Sequence, residues 1–174
     1  MFQNNAGEDF NFSWDECKTK NRLLLVLWNT HKLLINLSKD NKVNPFKLKN
    51  VKLDTEEKYI FSKLNSSIEK ATKLFDEYRL NEVPWVIEEL YLELSRTYIQ
   101  LIREKYSTGS NEDKKIVLYT IYNVFIEILK LLAPIAPFIT EEIYQNLKKE
   151  FKLKIEIQEN GERALPNKPS IKIE

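Results

Sequence analysis

The stretch ILKLLAPIAPFITEEIYQNL, residues 128–147, places two prolines three positions apart inside an otherwise helical apolar pattern. Pro134 lacks a backbone N–H and disfavours helical geometry at the residue before it, so we expect a long helix to end there. Pro137 is expected to keep the connection from re-forming a helix at once. Thr140, followed by two glutamates, is expected to cap a short helix to about Lys149. The stretch therefore predicts a corner between two packed helices.

The segment before this corner predicts the centre of the fold. Residues 111–132 form one helical pattern, and apolar side chains occupy nearly every direction around it. A helix that is apolar over most of its circumference has neighbours on several sides. We therefore expect this helix to be surrounded by the others.

A first upstream helix is expected to begin after Ser13, which forms a capping box with Glu16, and to end near Leu37 or Ser38. Helical spacing assigns one apolar, buried face to Cys17, Leu24, Leu27, Trp28, His31, Leu34 and Ile35. His31 on this face is expected to be a hydrogen-bonded core residue rather than a chemical group.

Two further helices follow a polar, lysine-rich loop. Asp54 and Glu57 suggest a second capping box, and Pro84 suits the first turn of a third helix that begins near Asn81 and runs to about Tyr106. The predicted buried faces are Phe61, Leu64, Ile68, Ala71, Phe75 and Tyr78 on the second helix, and Ile87, Leu90, Leu94, Tyr98 and Leu101 on the third.

These patterns predict an all-α fold, a five-helix bundle over residues 13–149. Residues 1–12 are expected to be an irregular lead-in. Residues 150–174 are expected to be a truncated C-terminal extension. In this segment FKLKIEI alternates with period two and ENGE suits a hairpin turn. The predicted architecture is thus a helical bundle with a short extended or β-hairpin tail.

Composition excludes several classes of protein. The chain has only three glycines, which argues against a Rossmann unit or a P-loop. One cysteine and one histidine cannot form a zinc site, and a single cysteine excludes an internal disulfide. The N-terminal residues show no signal-peptide pattern, so we expect a cytoplasmic protein. The net charge of +1 says nothing about nucleic acid, which only the distribution of charge can indicate.

Several ordered motifs resemble one family. AGEDFNFSWDE, LWNTHKLL, FSKLNSSIEKATKLFDEYRL, ELSRTYIQLIREK and LLAPIAPFITEEIYQNL follow one another across residues 6–147. Together they resemble the anticodon-binding helical domain of class I aminoacyl-tRNA synthetases. ELSRTYIQLIREK makes the isoleucyl group the most similar within that class. Neither ATP-site signature of these enzymes, the HIGH-type or the KMSKS-type motif, occurs in the chain.

The resemblance implies a module that binds the anticodon arm of tRNA, supports aminoacylation with isoleucine and is inactive alone. Its implied partners are an isoleucine tRNA and the rest of the synthetase, with no membrane and no small-molecule ligand. It implies no cofactor in this segment, since ATP would bind only in a catalytic domain that the chain lacks. The alternatives are the same domain of a valyl- or leucyl-tRNA synthetase, and a helical protein-interaction module that binds no RNA.

The first helix offers one candidate RNA-binding surface. Lys18, Arg22, Asn29 and Lys32 recur at helical spacing on a stripe beside the predicted apolar face. Their N–H groups suit phosphate and ribose oxygens, which carry much of the affinity for nucleic acid. An ordinary solvated flank would show the same pattern.

The third helix offers a second candidate, opposite its predicted core face. Trp85, Arg96 and Arg103 lie there with Leu92 and Ile99. A tryptophan suits stacking on an unpaired base, and a guanidinium suits forked contacts with phosphate. In the alternative, Trp85 packs internally and Arg96 pairs with a glutamate of its own helix. A third option, the lysines of the loop at residues 39–52, is better explained as a solvated loop.

Overall fold

The computed structural model describes residues 13–49 and 51–151, and within these ranges it is helical and has no strand. The helices are α1 Trp14–Asn41, α2 Thr55–Asp76, α3 Val83–Leu92, α4 Ile99–Leu101, α5 Arg103–Ser107, α6 Asn111–Leu132 and α7 Pro137–Phe151. A 3-10 turn spans Pro45–Lys47, and a π-helical segment spans Glu93–Tyr98. We call the almost continuous helical run of residues 83–107 the third rod. The predicted all-α bundle is confirmed. Residues 150 and 151, predicted to belong to the tail, are the end of α7, whereas the predicted lead-in and the rest of the tail lie outside the described residues.

Helix α6 is the centre of the bundle, as its all-round apolar pattern predicts. Ile121, Val124, Phe125 and Ile128 are fully buried in the core. Burial of each such side chain stabilises the fold by roughly 1.5–3 kcal/mol. Helices α1, α2, α3, α5 and α7 and the 3-10 turn all contact α6, and the third rod also contacts both α1 and α2. No described helix combines the length and the apolar character that a membrane crossing requires.

Helix α1 begins where the sequence predicts and ends later. The Ser13 side chain accepts a hydrogen bond of 3.4 Å from the Glu16 N–H. The helix continues to Asn41, beyond the predicted end near Ser38, and stops where Lys42 adopts a left-handed backbone with φ of 54°. Cys17, predicted to be buried, is exposed because it lies in the first turns of α1, ahead of the buried residues.

Helix α2 begins at Thr55, but not through the predicted capping box. Asp54 makes no side-chain bond to the helix N-terminus and instead pairs with Lys105. The predicted buried face holds as far as Phe75, which is half-buried, and fails at Tyr78. Tyr78 is 86% exposed because it lies beyond the end of the helix, where its φ of 56° turns the chain.

The third rod begins at Val83 with Pro84 in its first turn, close to the predicted start. The π-helical segment inserts extra backbone into the rod and rotates the residues that follow it relative to an α-helix. Leu101, predicted to be buried, is therefore 59% exposed, and Ile102 takes its place in the core.

The corner between α6 and α7 forms where the sequence predicts, but its backbone conformation and helix capping differ from the prediction. Helix α6 ends at Leu132, although Ala133 keeps a right-handed helical backbone before Pro134. Pro137 does not delay the next helix but opens it, a position at which a missing N–H has no cost. Thr140 does not cap α7, because its hydroxyl donates to the Ala136 carbonyl at 2.9 Å. The two glutamates after it consequently lie past the first turn.

Candidate nucleic-acid interface

The predicted stripe on α1 is open to solvent. Lys18, Arg22, Asn29 and Lys32 are all exposed. They lie nearly opposite the buried residues Leu27 and Leu34 rather than beside an apolar face, since the angular step in an α-helix is about 100°. The stripe is therefore the outer face of α1.

The charges of this stripe are little engaged within the protein. Lys18 pairs with Asp15 at 3.2 Å, but both side chains are largely exposed, and such a pair contributes little to stability. The Lys32 ammonium lies 5.5 Å from the centre of the half-buried Trp28 ring. Arg22 has no ion pair among the described residues. The donors of α1 thus remain available to an external anion.

Trp85 is 55% exposed near the start of α3, so it does not pack internally. The Lys20 ammonium lies 4.6 Å from the centre of its ring and also pairs with Glu88 at 3.0 Å. Lys20 is about 200° around α1 from Lys18, which places Trp85 and the α1 stripe on different sides of that helix. The sequence pattern does not single out Lys20 and Glu88, because their contact joins residues that are far apart in the chain.

Arg96 and Arg103 are exposed and in no ion pair within the described part of the chain. The alternative pairing of Arg96 with a glutamate of its own helix does not occur, and the Glu93 carboxylate accepts a hydrogen bond from the Tyr59 hydroxyl instead. Ile99, placed on the same outer face by the sequence, is only 5% exposed. The π-helical segment therefore divides the predicted stripe of the third helix.

A buried polar cluster holds this part of the rod. The Glu57 side chain is 0% exposed and accepts a hydrogen bond of 3.0 Å from the Tyr98 hydroxyl. The Lys105 ammonium lies 3.2 Å from Glu57 and 3.1 Å from both Asp54 and Glu56. The sequence pattern does not predict this cluster, because acidic residues at these positions are equally typical of an ordinary helix N-terminus.

The pKa values of Lys105 and Tyr98 are both raised in the cluster. Burial lowers the pKa of Lys105, but its hydrogen bonds to Asp54, Glu56 and Glu57 outweigh burial and raise it. Burial, followed by the negative charge of Glu57, raises the pKa of the Tyr98 hydroxyl. The carboxylate oxygens of the three acids are close enough to hold a metal ion, yet the Lys105 ammonium already bonds to all of them. We therefore interpret the cluster as an ion-pair network that supports the fold.

The structure also shows the positions of His31 and of lysines from the segment at residues 39–52. His31 is 2% exposed, and its Nδ1 contacts the Trp28 carbonyl, as expected for a core histidine. Burial lowers its pKa. Lys39, predicted to lie in the lysine-rich loop, is in the last turn of α1 and pairs with Glu150 at 2.9 Å. Lys47, in the 3-10 turn, is exposed.

The structure thus defines an all-α bundle around one central helix, with exposed basic and aromatic side chains on its outer helices. The chain belongs to the family described as the anticodon-binding domain of tRNA ligase, whose sequence model matches residues 57–172. That match includes α2 from Glu57 onward, the third rod, α6 and α7.

Curated relatives agree with this family. The chain is 36% identical over 155 residues to the isoleucine–tRNA ligase of Thermococcus kodakarensis, covering 87% of this chain and 15% of that protein. It is 35% identical to the isoleucine–tRNA ligase of Pyrococcus horikoshii, over 87% of this chain and 14% of the relative. The isoleucine–tRNA ligase of Methanococcus aeolicus is 35% identical, over 83% of this chain and 14% of the relative. The chain therefore spans about 15% of the length of such relatives.

Proposed function

We propose that this chain binds the anticodon arm of a tRNA, and of an isoleucine tRNA in particular. The single observation that carries the proposal is its membership of the anticodon-binding family across most of the bundle. Isoleucine specificity is supported by the names of the relatives. The exposed donors of α1, together with Trp85, Arg96 and Arg103, are the groups that we assign to RNA contact.

The architecture of the bundle is suited to positioning a bound RNA. A packed core around α6 makes the outer helices a rigid surface, and a rigid surface can fix the orientation of a bound RNA. Lysine and arginine donors on α1 would hold the phosphate backbone without reading sequence. An exposed tryptophan such as Trp85 would stack on an unpaired base of the anticodon loop. The proposal gives the domain binding and no catalytic step, so the ATP chemistry of a ligase would take place outside this chain.

The direct test is a filter-binding titration of the protein with an isoleucine tRNA transcript at low salt. Lys18→Ala combined with Arg22→Ala, and separately Arg96→Ala combined with Arg103→Ala, should each weaken binding. Each lost phosphate contact should reduce the slope of log affinity against log salt by about 1. Unchanged affinity in both double variants would remove these residues from the interface. Competition with valine and leucine tRNAs tests specificity, and equal competition would contradict the assignment to isoleucine.

A protein-interaction module is the second candidate, favoured by the exposure of Trp85 and Leu101 on the third rod. Docking of an apolar helix on these side chains should depend weakly on salt, whereas RNA binding through several phosphates should weaken steeply. A partner that binds at high salt and does not compete with tRNA would favour this candidate.

A further inference from the structure

The outer side of α2 carries a line of side chains that belongs to none of the surfaces described above. Its members recur at intervals of four, three and four residues, which places them on one side of the helix, and all are exposed. The buried residues Phe61, Leu64 and Ala71 lie on the other side of α2. We call this line the lysine–tyrosine face: Tyr59, Lys63, Ser66 and Lys70.

Tyr59 is fixed at one end of the face. Its hydroxyl donates a hydrogen bond to the Glu93 carboxylate of the π-helical segment, while the residue stays 39% exposed. The Lys63 ammonium lies 5.7 Å from the centre of that ring, within the range of a cation–π contact. Tyr59 therefore joins the face to the third rod and holds Lys63 near the boundary between the two helices.

The described part of the protein does not neutralise the positive charges of the face. Lys63 and Lys70 take part in no ion pair among the described residues. Lys73, the next lysine along the line, has only a distant partner, Glu77 at 3.9 Å. The nearest acid in sequence, Glu69, points about 100° away from Lys70 around the helix. Among the described residues the face is thus positively charged without an acidic counterion.

The spacing of these charges suits an extended polyanion. Lys63 and Lys70 are two helical turns apart, about 10.5 Å along the axis of α2. Phosphates recur at short, regular intervals along a nucleic-acid strand, so two ammonium groups at this separation can contact different phosphates of one strand. The hydroxyl of Ser66, between them, is a further donor for a phosphate oxygen.

We propose that the lysine–tyrosine face binds the phosphodiester backbone of the RNA that this domain recognises. The inference rests on the proposed function and adds a contact surface on α2 to those on α1 and the third rod. Lys63 and Lys70 supply the ammonium groups that contact phosphate. Tyr59 is a positioning residue, which ties this surface to the third rod beside Arg96.

The test compares two double variants of the whole chain, each of which removes two positive charges. Lys63→Ala with Lys70→Ala removes the charge of the face. Lys47→Ala with Lys149→Ala is the matched control, since both of these lysines are exposed and unpaired within the described ranges and lie elsewhere on the bundle. Binding of an RNA hairpin with the sequence of an isoleucine anticodon arm is measured by filter binding across a salt series. Circular dichroism verifies that each variant is folded.

We expect the face variant to bind about tenfold more weakly at low salt and to reduce the salt slope by about 2, one unit for each phosphate contact. The control should keep the slope of the unsubstituted protein. The same affinity and slope in both variants would overturn this inference and leave the proposed function standing. Failure of the unsubstituted protein to bind the hairpin at low salt would overturn both. Loss of binding to a polyglutamate probe, with RNA binding unchanged, would assign the face to an acidic protein and also overturn the inference.

Discussion

The Tyr98 hydroxyl donates a hydrogen bond of 3.0 Å to the Glu57 carboxylate, between the π-helical segment of the third rod and the first turn of α2. The same carboxylate lies 3.2 Å from the Lys105 ammonium. One buried acid therefore contacts two residues of the third rod, on either side of Leu101. These contacts help to hold the rotated register in which Ile102 is buried and Arg103 is exposed.

Glu57→Ala should lower the free energy of unfolding by about 3 kcal/mol, because it leaves the ammonium of Lys105 and the hydroxyl of Tyr98 without their buried partner. Urea denaturation monitored by circular dichroism measures the change. Glu69→Ala is the control, since Glu69 is exposed and should change stability by less than about 0.5 kcal/mol. Similar losses in the two variants would show that the buried cluster has no special role.

Stability should decrease as the pH rises above about 10, the ordinary pKa of tyrosine and lysine side chains. The pKa values of Tyr98 and Lys105 are both raised in the fold, so above that pH the folded chain keeps protons that the unfolded chain has released. Their contributions are complete at lower pH and are lost through this alkaline window. Urea denaturation between pH 8 and pH 11 measures the slope, and Tyr98→Phe should make it shallower. An unchanged slope in that variant would refute the assignment to Tyr98.

His31 should make the protein less stable as the pH falls below about 6.5, the ordinary pKa of histidine. Burial lowers its pKa in the fold, so the unfolded chain binds a proton before the folded chain does. His31→Gln should flatten the dependence of stability on pH between 7.5 and 5.5. A wild-type stability that is constant over this interval would contradict the prediction.

Ser110→Ala should cost about 1 kcal/mol, whereas Ser13→Ala should cost less. Ser110 forms a complete capping box at the start of α6, with bonds of 3.1 Å from the Asp113 N–H and 2.9 Å from its own N–H to the Asp113 carboxylate. Ser13 accepts one longer bond of 3.4 Å at the exposed start of α1. Thermal unfolding of both variants measures the difference. The reverse order would show that these bonds do not govern stability at the two helix ends.

Trp85→Leu should change the free energy of unfolding by less than about 1 kcal/mol, because the side chain is largely exposed. If Trp85 stacks on a base, the same variant should lose about 1–3 kcal/mol of RNA-binding free energy. Phe138→Leu is the control, since Phe138 is 91% exposed at the corner between α6 and α7. Equal RNA affinities in the two variants would exclude a stacking role for Trp85.

Local signals accounted for the parts of the fold that depend on a few neighbouring residues. Ser13 marked the start of α1, and the all-round apolar pattern of residues 111–132 identified α6 as the central helix. Two N-cap signals were wrong: Thr140 and Asp54 are both typical N-cap residues, yet neither caps its helix. Such a side chain can form hydrogen bonds with several partners. The tertiary structure determines which bond forms, so the position in the sequence does not predict it.

The helical spacing of the candidate residues predicts their exposure but not how they are arranged across the helices. Lys18, Arg22, Trp85, Arg96 and Arg103 are exposed, as a binding role requires. Their function remains a prediction. The contacts of Lys20 with Trp85 and of Tyr59 with Glu93 could not be predicted, because each joins side chains on different helices.

The sequence by itself determined that this chain folds as helices around residues 111–132, since helical periodicity and apolar content are properties of neighbouring residues. Only the tertiary structure decided the rotation of the third rod, and therefore which of its side chains face water. That rotation follows from the π-helical segment, whose extra backbone is held by Tyr98, Glu57 and Lys105. Glu57 and Lys105 are separated by 48 positions in the chain, so their ion pair forms only when the helices pack together.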